Sequence, residues 1–343
     1  MKRCSVLMIL ALAVAMVAAP SAQAQNVVTI YAADGLRDGK PNWFDTQFDA
    51  FTKETGIKVQ YIESGSGEVI NRVEREKTNV QADVIATLPP FIQKAAADGM
   101  TEAYTPADIS AIPANTRDPN GHWYPLVNNY FCLIYNGSAL QGPPKTWDEL
   151  LDPKYKGKIQ YSTPGQAGDG TALMVLVFHA MGSKDAGFEY LKKLQANNVG
   201  PSSSTGKLAA KVNKGELWVA NGDMQMNFAQ MADNPNLRIF WPADSKGQRT
   251  TFSLPYYMAL VKGAPHSANG KKLIDFLLSK KAQETVSSIA RGLPARSDVM
   301  PTDENYKQLH KFMEGVTVWT PDWDAVLRDL SKDVARWHEV TGS

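Results

Sequence analysis

Short apolar runs alternate along the chain with stretches whose apolar residues recur three and four apart. That pattern predicts strands alternating with helices, and hence an α/β architecture. Val27–Ala33 reads as a first strand. Trp43, Phe44, Phe48 and Phe51 follow at helical spacing, with Gly56 as a stop signal, and Ile57–Ile62 is the next strand. The turn Ser64-Gly65-Ser66-Gly67 opens a helix to about Lys77, and Asp83–Thr87 is again a strand. A helix from about Gly170 to Met181 is apolar on nearly every side, which marks it as buried. Lys158–Tyr161, Leu217–Ala220 and Leu237–Trp241 read as strands, with helices near Leu208 and over Met224–Met231. Leu273, Ile274, Leu277 and Leu278 mark an amphipathic helix, and Trp323, Val326, Leu327, Leu330, Val334 and Trp337 form a stripe on a C-terminal one. Two extended passages, Tyr124–Tyr135 and Thr251–Lys262, could each connect the same pair of lobes, as hinges do.

The N-terminus carries a different pattern. Lys2 and Arg3 precede an unbroken apolar run, Val6–Ala19, too short to span a bilayer, and Ala22-Gln23-Ala24 supplies small residues for cleavage. This is the expectation for an export signal removed after Ala24, delivering the chain to the periplasm. Without it, 34 basic residues face 35 acidic ones, so no field exists to attract nucleic acid or an anionic membrane. Cys132 is then the sole cysteine, in an apolar run, which excludes an intramolecular disulfide. The remaining length suits two lobes.

Three segments share one chemistry. Ser64–Gly67, Ser162–Thr171 and Ser202–Gly206 each place small or hydroxyl residues at a helix start. Backbone N–H groups lack intrahelical partners there, and the helix dipole favours an anion. The candidate anion donors are Ser64, Gly65, Ser66, Gly67, Ser162, Thr163, Thr171, Ser204 and Thr205. An amine on the same ligand would need a carboxylate: Asp34 and Asp223 first, then Glu63 and Glu68, with Asp169 equally able to cap its helix. Asn221 and Tyr256 are further candidate contacts.

Other chemistries fail on spacing. Gly200 to Leu208 resembles a phosphate-binding loop, but five residues separate its glycines where four are needed, and Leu208 replaces the metal-binding hydroxyl. Gly65-Ser66-Gly67 lacks the third glycine of a dinucleotide fingerprint. The five histidines are scattered, and no Gly-x-Ser-x-Gly elbow occurs. The residues thus give only weak signals for a metal, a cofactor or a nucleophile. The expectation is a protein without cofactor or metal that binds rather than catalyses, a class that the following resemblance implies.

Thr146-Trp147-Asp148-Glu149-Leu150-Leu151-Asp152-Pro153-Lys154-Tyr155-Lys156-Gly157-Lys158 and Ala82-Asp83-Val84 resemble the signatures of extracellular solute-binding proteins of ABC importers, in the group that includes ferric-ion and polyamine binders. Phe48–Lys53, Pro89–Gln93, Tyr161–Thr171, Leu194–Leu208 and Val219–Met226 are most similar to the 2-aminoethylphosphonate binders of that group. The resemblance implies a type II periplasmic-binding-protein fold, with two lobes closing on 2-aminoethylphosphonate, and a permease with its ATPase subunits as partners. A monomer is expected. The expected division is 25–126 with 253–305 as lobe 1, 127–252 as lobe 2, and 306–343 as a helical segment packed on a lobe. Another small anion, a polyamine or ferric ion remains the alternative ligand, and an exported phosphonate-degrading enzyme the alternative class. Ferric binders place two adjacent tyrosines after the strand that Val219-Ala220-Asn221 matches; here Asp223 and Met224 stand there, which argues against iron.

Overall fold

A computed structural model describes residues 26–343; the expected signal segment lies outside the described residues. The chain runs β1 (Val27–Ala33), α1 (Trp43–Thr55), β2 (Lys58–Ser64), α2 (Ser66–Arg75), β3 (Val84–Thr87), α3 (Phe91–Ala97), β4 (Thr101–Glu102) and β5 (Tyr124–Asn128). It continues through β6 (Phe131–Asn136), β7 (Ile159–Gln160), α4 (Gly168–Ala180), α5 (Lys184–Gln195), α6 (Leu208–Asn213), β8 (Val219–Asp223), α7 (Met224–Gln230), β9 (Leu237–Phe240) and β10 (Arg249–Phe252). It then returns through β11 (Tyr256–Val261), α8 (Ser267–Leu278), α9 (Lys280–Gln283), β12 (Leu293–Pro294), α10 (Glu304–Phe312), β13 (Val316–Trp319) and α11 (Trp323–Thr341).

Two larger sheets organise these elements, and β10 pairs in parallel with β13 as a separate two-stranded sheet. One larger sheet has the order β12-β5-β11-β3-β1-β2, with β4 beside β11; the other is β7-β8-β6-β9. In the first, β1 is parallel to β2 and β3, and their register sets Ala33 beside Ser64 and Ala32 beside Ala86. In the second, β7 is parallel to β8, which brings Gln160 beside Ala220. Ligands of open α/β sheets bind beyond the carboxyl ends of the parallel strands. Those ends deliver Asp34 and Gly65 from one sheet, and Ser162, Asn221 and Asp223 from the other.

Each of the two long extended passages proves to be two strands in different sheets. The chain leaves the first sheet after Asn128 and enters the second at Phe131; it leaves β10 after Phe252 and re-enters the first sheet at Tyr256. The crossings run side by side: Tyr130 and Ser253 form an antiparallel bridge, and Leu254 N–H donates to Asn129 O at 2.8 Å. Two short adjacent crossings are the geometry of a hinge.

Local chemistry accounts for the helices near the cleft. Asn42 caps α1 by accepting from Asp45 N at 2.8 Å, and Gly56 ends it at φ 72°. The first ten residues of α4 are all buried, which explains its all-round apolarity. The signature around Trp147 is structural: Trp147 is buried, its carbonyl accepts from Tyr190 Oη, and Asn197 ties down Leu150 O and Asp152 O. Cys132 is wholly buried, and burial pushes its thiol well up, which disfavours the thiolate.

The C-terminal helix crosses between lobes. Lys184 of α5 meets Asp329 and Asp333 at 2.7 Å each, Arg336 meets Asp185 at 2.7 Å, and the buried Trp337 packs edge-on against Tyr161. The same helix sends Leu330 into the apolar cluster of Val69, Ile70, Val73 and Phe91 beside the first sheet.

Candidate functional site

The lobes touch across the cleft through backbone. A Cβ on Gly67 would lie 2.1 Å from Gly165 O, and one on Gly65 would lie 2.4 Å from Ser203 O. Real Cβ atoms do not approach so closely, so glycine is what lets these segments meet. Gly67 N–H donates to Gln166 O at 2.9 Å, and Ser66 Oγ lies against Gly168. The N-termini of α2 and α4, one from each lobe, therefore abut, and neither has a side-chain cap. Each end carries roughly half a positive charge, so their meeting favours an anion between them.

Beside this seam lie carboxylates. Asp34, following β1, accepts at Oδ2 from Ser204 Oγ (2.7 Å) and Gly206 N (2.8 Å) of the other lobe. Asp223, ending β8, accepts at Oδ1 from Met226 N (2.7 Å) and so caps α7. Tyr256 Oη lies 2.9 Å from Asp34 O and 2.8 Å from Asp223 Oδ2; its single proton serves one of them at a time. Gly35, at φ 123°, makes room for that hydroxyl. Asp169, in the first turn of α4, is also buried.

Among the described residues no Lys or Arg pairs with Asp34, Asp169 or Asp223. Desolvation accordingly lifts all three carboxyls: Asp223 to about 6, Asp34 above its ordinary value and Asp169 well above it. Their mutual repulsion adds to the rise. Asp38 is pushed up to about 8, again first by desolvation. This group of carboxyls is short of a cation.

The hydroxyl residues divide into groups. Ser162 N–H donates to Asn221 Oδ1 (2.8 Å), Asn221 Nδ2 donates to Ser162 Oγ (3.0 Å), and Thr205 Oγ1 stands 2.9 Å from Ser162 Oγ. These three form one buried polar cluster. Thr163 and Thr171 serve backbone: Ser202 N–H donates to Thr163 Oγ1, and Gly165 N–H to Thr171 Oγ1. Ser64, half-buried, ends β2.

The structure does not bring every candidate into the buried cluster. Glu63 is exposed and accepts from Tyr61 Oη at 2.7 Å, and Glu68 is only half-buried on α2. Tyr256 joins the carboxylates, whereas Tyr257 points to the opposite face of its strand and packs against Trp123. Alternation along β11 thus separates these adjacent tyrosines. Sequence reasoning missed Asp38; its only signal is that Asp38-Gly39 repeats Asp34-Gly35 four residues on, which reads as turn chemistry.

Comparison with known proteins agrees with this architecture. Residues 79–328 match the family described as bacterial extracellular solute-binding protein. A Salmonella typhimurium periplasmic protein, provisionally named for binding 2-aminoethylphosphonate, is 57% identical over 96% of each chain. A Synechocystis iron uptake protein is 25% identical over 78% of this chain and 76% of its own. Among solved structures, the periplasmic binding protein P5PA superposes with a TM-score of 0.79 at 20% identity, covering 92% of this chain and 99% of that one. The periplasmic binding protein AfuA of Actinobacillus pleuropneumoniae gives 0.76 at 22%, covering 92% and 98%. These likenesses describe the two-lobed fold, type II in class, with its two hinge segments. The chain belongs to the bacterial extracellular solute-binding proteins.

Proposed function

We propose that this chain is a periplasmic receptor that captures 2-aminoethylphosphonate by lobe closure and hands it to the permease of an ABC importer driven by ATPase subunits. The observation that carries the reading is a juxtaposition: two uncapped helix N-termini, one from each lobe, abut beside buried carboxylates that have no cation. A zwitterion with an anionic and an ammonium end complements both. The phosphonate is assigned to the segments Ser64–Gly67, Ser162-Thr163, Thr171 and Ser204-Thr205. The ammonium is assigned to the pocket holding Asp34 and Asp223, with Glu63 and Glu68 at its rim and Asn221 and Tyr256 as supporting contacts.

The provisional name of the Salmonella relative supports the same ligand. The reading includes export with cleavage after Ala24, action as a monomer, and binding without catalysis. It also keeps the lobe division at 126/127 and 252/253.

Calorimetric titration of the mature, ligand-stripped protein tests it, with ethylphosphonate, phosphate, putrescine and Fe³⁺ as comparisons. One-to-one binding selective for 2-aminoethylphosphonate is expected, with about 2.7 kcal/mol of stabilisation at 100-fold excess over Kd. No heat and no thermal shift with this compound, alongside binding of another, would reject the ligand.

A further inference from the structure

The carboxylates of the cleft differ in what they have left to offer. Asp34 is half-buried, and its Oδ2 is occupied by Ser204 and Gly206. Asp223 caps α7 with one oxygen and meets Tyr256 with the other. Asp169 is different. Its side chain belongs to a residue only 2% exposed, and its Oδ1 has no hydrogen-bond partner. The Thr205 hydroxyl and its own backbone amide lie close enough to favour its ionised form, while the Thr205 hydroxyl donates to Ser162 Oγ. It does not cap its helix, because Thr171 N–H bonds to Ala167 O instead.

We propose that Asp169 is the direct acceptor of the ligand's ammonium, and so the residue that selects aminated over plain phosphonates. Asp34 and Asp223 act as positioning residues that hold Ser204, Gly206, Tyr256 and the start of α7. The inference rests on the zwitterion reading of the cleft and adds which side chain meets the amine.

Two physical arguments carry it. A buried acceptor without a donor is costly, and an ionised one more so, which makes an unused carboxylate oxygen among like charges a favourable seat for an incoming donor. An ammonium brings three donors and a full positive charge. The charges of Asp223 and Asp34 act on the same spot, and they favour a cation there over a neutral donor. The neighbouring polar chain can be oriented toward Asp169 as well. Asn221 Nδ2 donates to Ser162 Oγ, which stands next to the Thr205 hydroxyl beside Asp169. Thr205 donates to Ser162 Oγ and Ser162 to Asn221 Oδ1; these hydroxyls can rotate, and turning Ser162 toward Thr205 frees the Thr205 proton for the carboxylate.

The test is Asp169→Asn, which keeps shape and removes charge, titrated with 2-aminoethylphosphonate and with ethylphosphonate. Losing one partner of a buried, hydrogen-bonded charge pair predicts at least about a 30-fold loss for the aminated compound. Ethylphosphonate should bind as well as before or better, so the preference between the two collapses. Should the Asn variant fail to fold by circular dichroism, Asp169→Ser provides the same comparison. Retention of both affinities and of their ratio would overturn the inference. If wild-type protein ignores 2-aminoethylphosphonate, the ligand reading fails by itself. The Asp169 inference is then judged on whichever amine the wild type binds, and it fails if the wild type binds none.

Discussion

Deep in the cleft the lobes meet through polar atoms; beside it they meet through the apolar stripe of α11. In the first region Asp34 reaches Ser204 and Gly206, Tyr256 stands between Asp34 and Asp223, and Gly67 donates to Gln166. In the second, α11 is fastened to α5 by ion pairs and to Tyr161 through Trp337, and offers Leu330 to the cluster around Ile70 and Phe91. A groove of about 390 Å³ separates the two, lined by Gly67, Gly165, Phe91, Leu330 and Val334 among others. Polar contact is directional and leaves a charge unmet, so it discriminates between ligands. Apolar contact is indifferent to the ligand, so it biases closure for all of them alike.

The sharpest way to break the polar region leaves α11 untouched. Gly67→Ala would set a Cβ 2.1 Å from Gly165 O. Closure is then blocked while each lobe keeps its own core. The expected result is a loss of affinity of about 100-fold or more for every ligand, with ligand-free melting almost unchanged; blocking a closed state is worth several kcal/mol. Calorimetry with a melting curve measures both.

Leu330→Ala weakens the apolar region instead. Leu330 is 7% exposed, and burying a leucine contributes about 1.5–3 kcal/mol, part of which depends on contact with the other lobe. Affinity for 2-aminoethylphosphonate and ethylphosphonate should fall by the same factor, about tenfold. A change in their ratio would contradict the division of labour.

Proton concentration separates the regions without mutation. Asp223 titrates at about 6 and Asp38 at about 8 in the folded state, above the ordinary carboxyl value. Protonation is thus tighter in the folded form. This contribution to ligand-free stability is full below about pH 4 and is lost as pH rises through 6 toward 8. Ligand-free Tm should therefore fall between pH 5.5 and 8. An ammonium favours the ionised carboxyls, so the affinity ratio of 2-aminoethylphosphonate to ethylphosphonate should rise over the same interval, by up to about tenfold per unit. The comparison with ethylphosphonate cancels titration of the phosphonate itself.

Lys184→Met removes a partly exposed cation from Asp329 and Asp333. Such pairs contribute about 0–1 kcal/mol, so Tm should drop by about 2 °C or less and selectivity should stay fixed.

The legibility of the molecule follows the same divide. β1, α1 and α4 were readable because burial imprints apolar periodicity on sequence. Glycine-rich helix starts were readable because that chemistry is local. The elements α5 and α10 were missed: their polar faces, with Lys192, Lys193, Lys307 and Lys311, dilute the stripe. The extended passages were visible, but the change of sheet at Asn129 and at Ser253 was not, because nothing local marks which sheet a strand joins. Asp169 is the instructive case at the site. An acid just inside a helix start resembles a dipole-stabilising residue, and only three-dimensional accounting of partners shows its oxygen is unused.

The most direct measurement is a crystal structure of the protein with 2-aminoethylphosphonate bound. The account predicts the ammonium within hydrogen-bonding distance of Asp169 Oδ1, and the phosphonate among the backbone amides and hydroxyls at the starts of α2 and α4. A ligand bound in the reverse sense, or an ammonium left to solvent while Asp169 stays unpartnered, would contradict it.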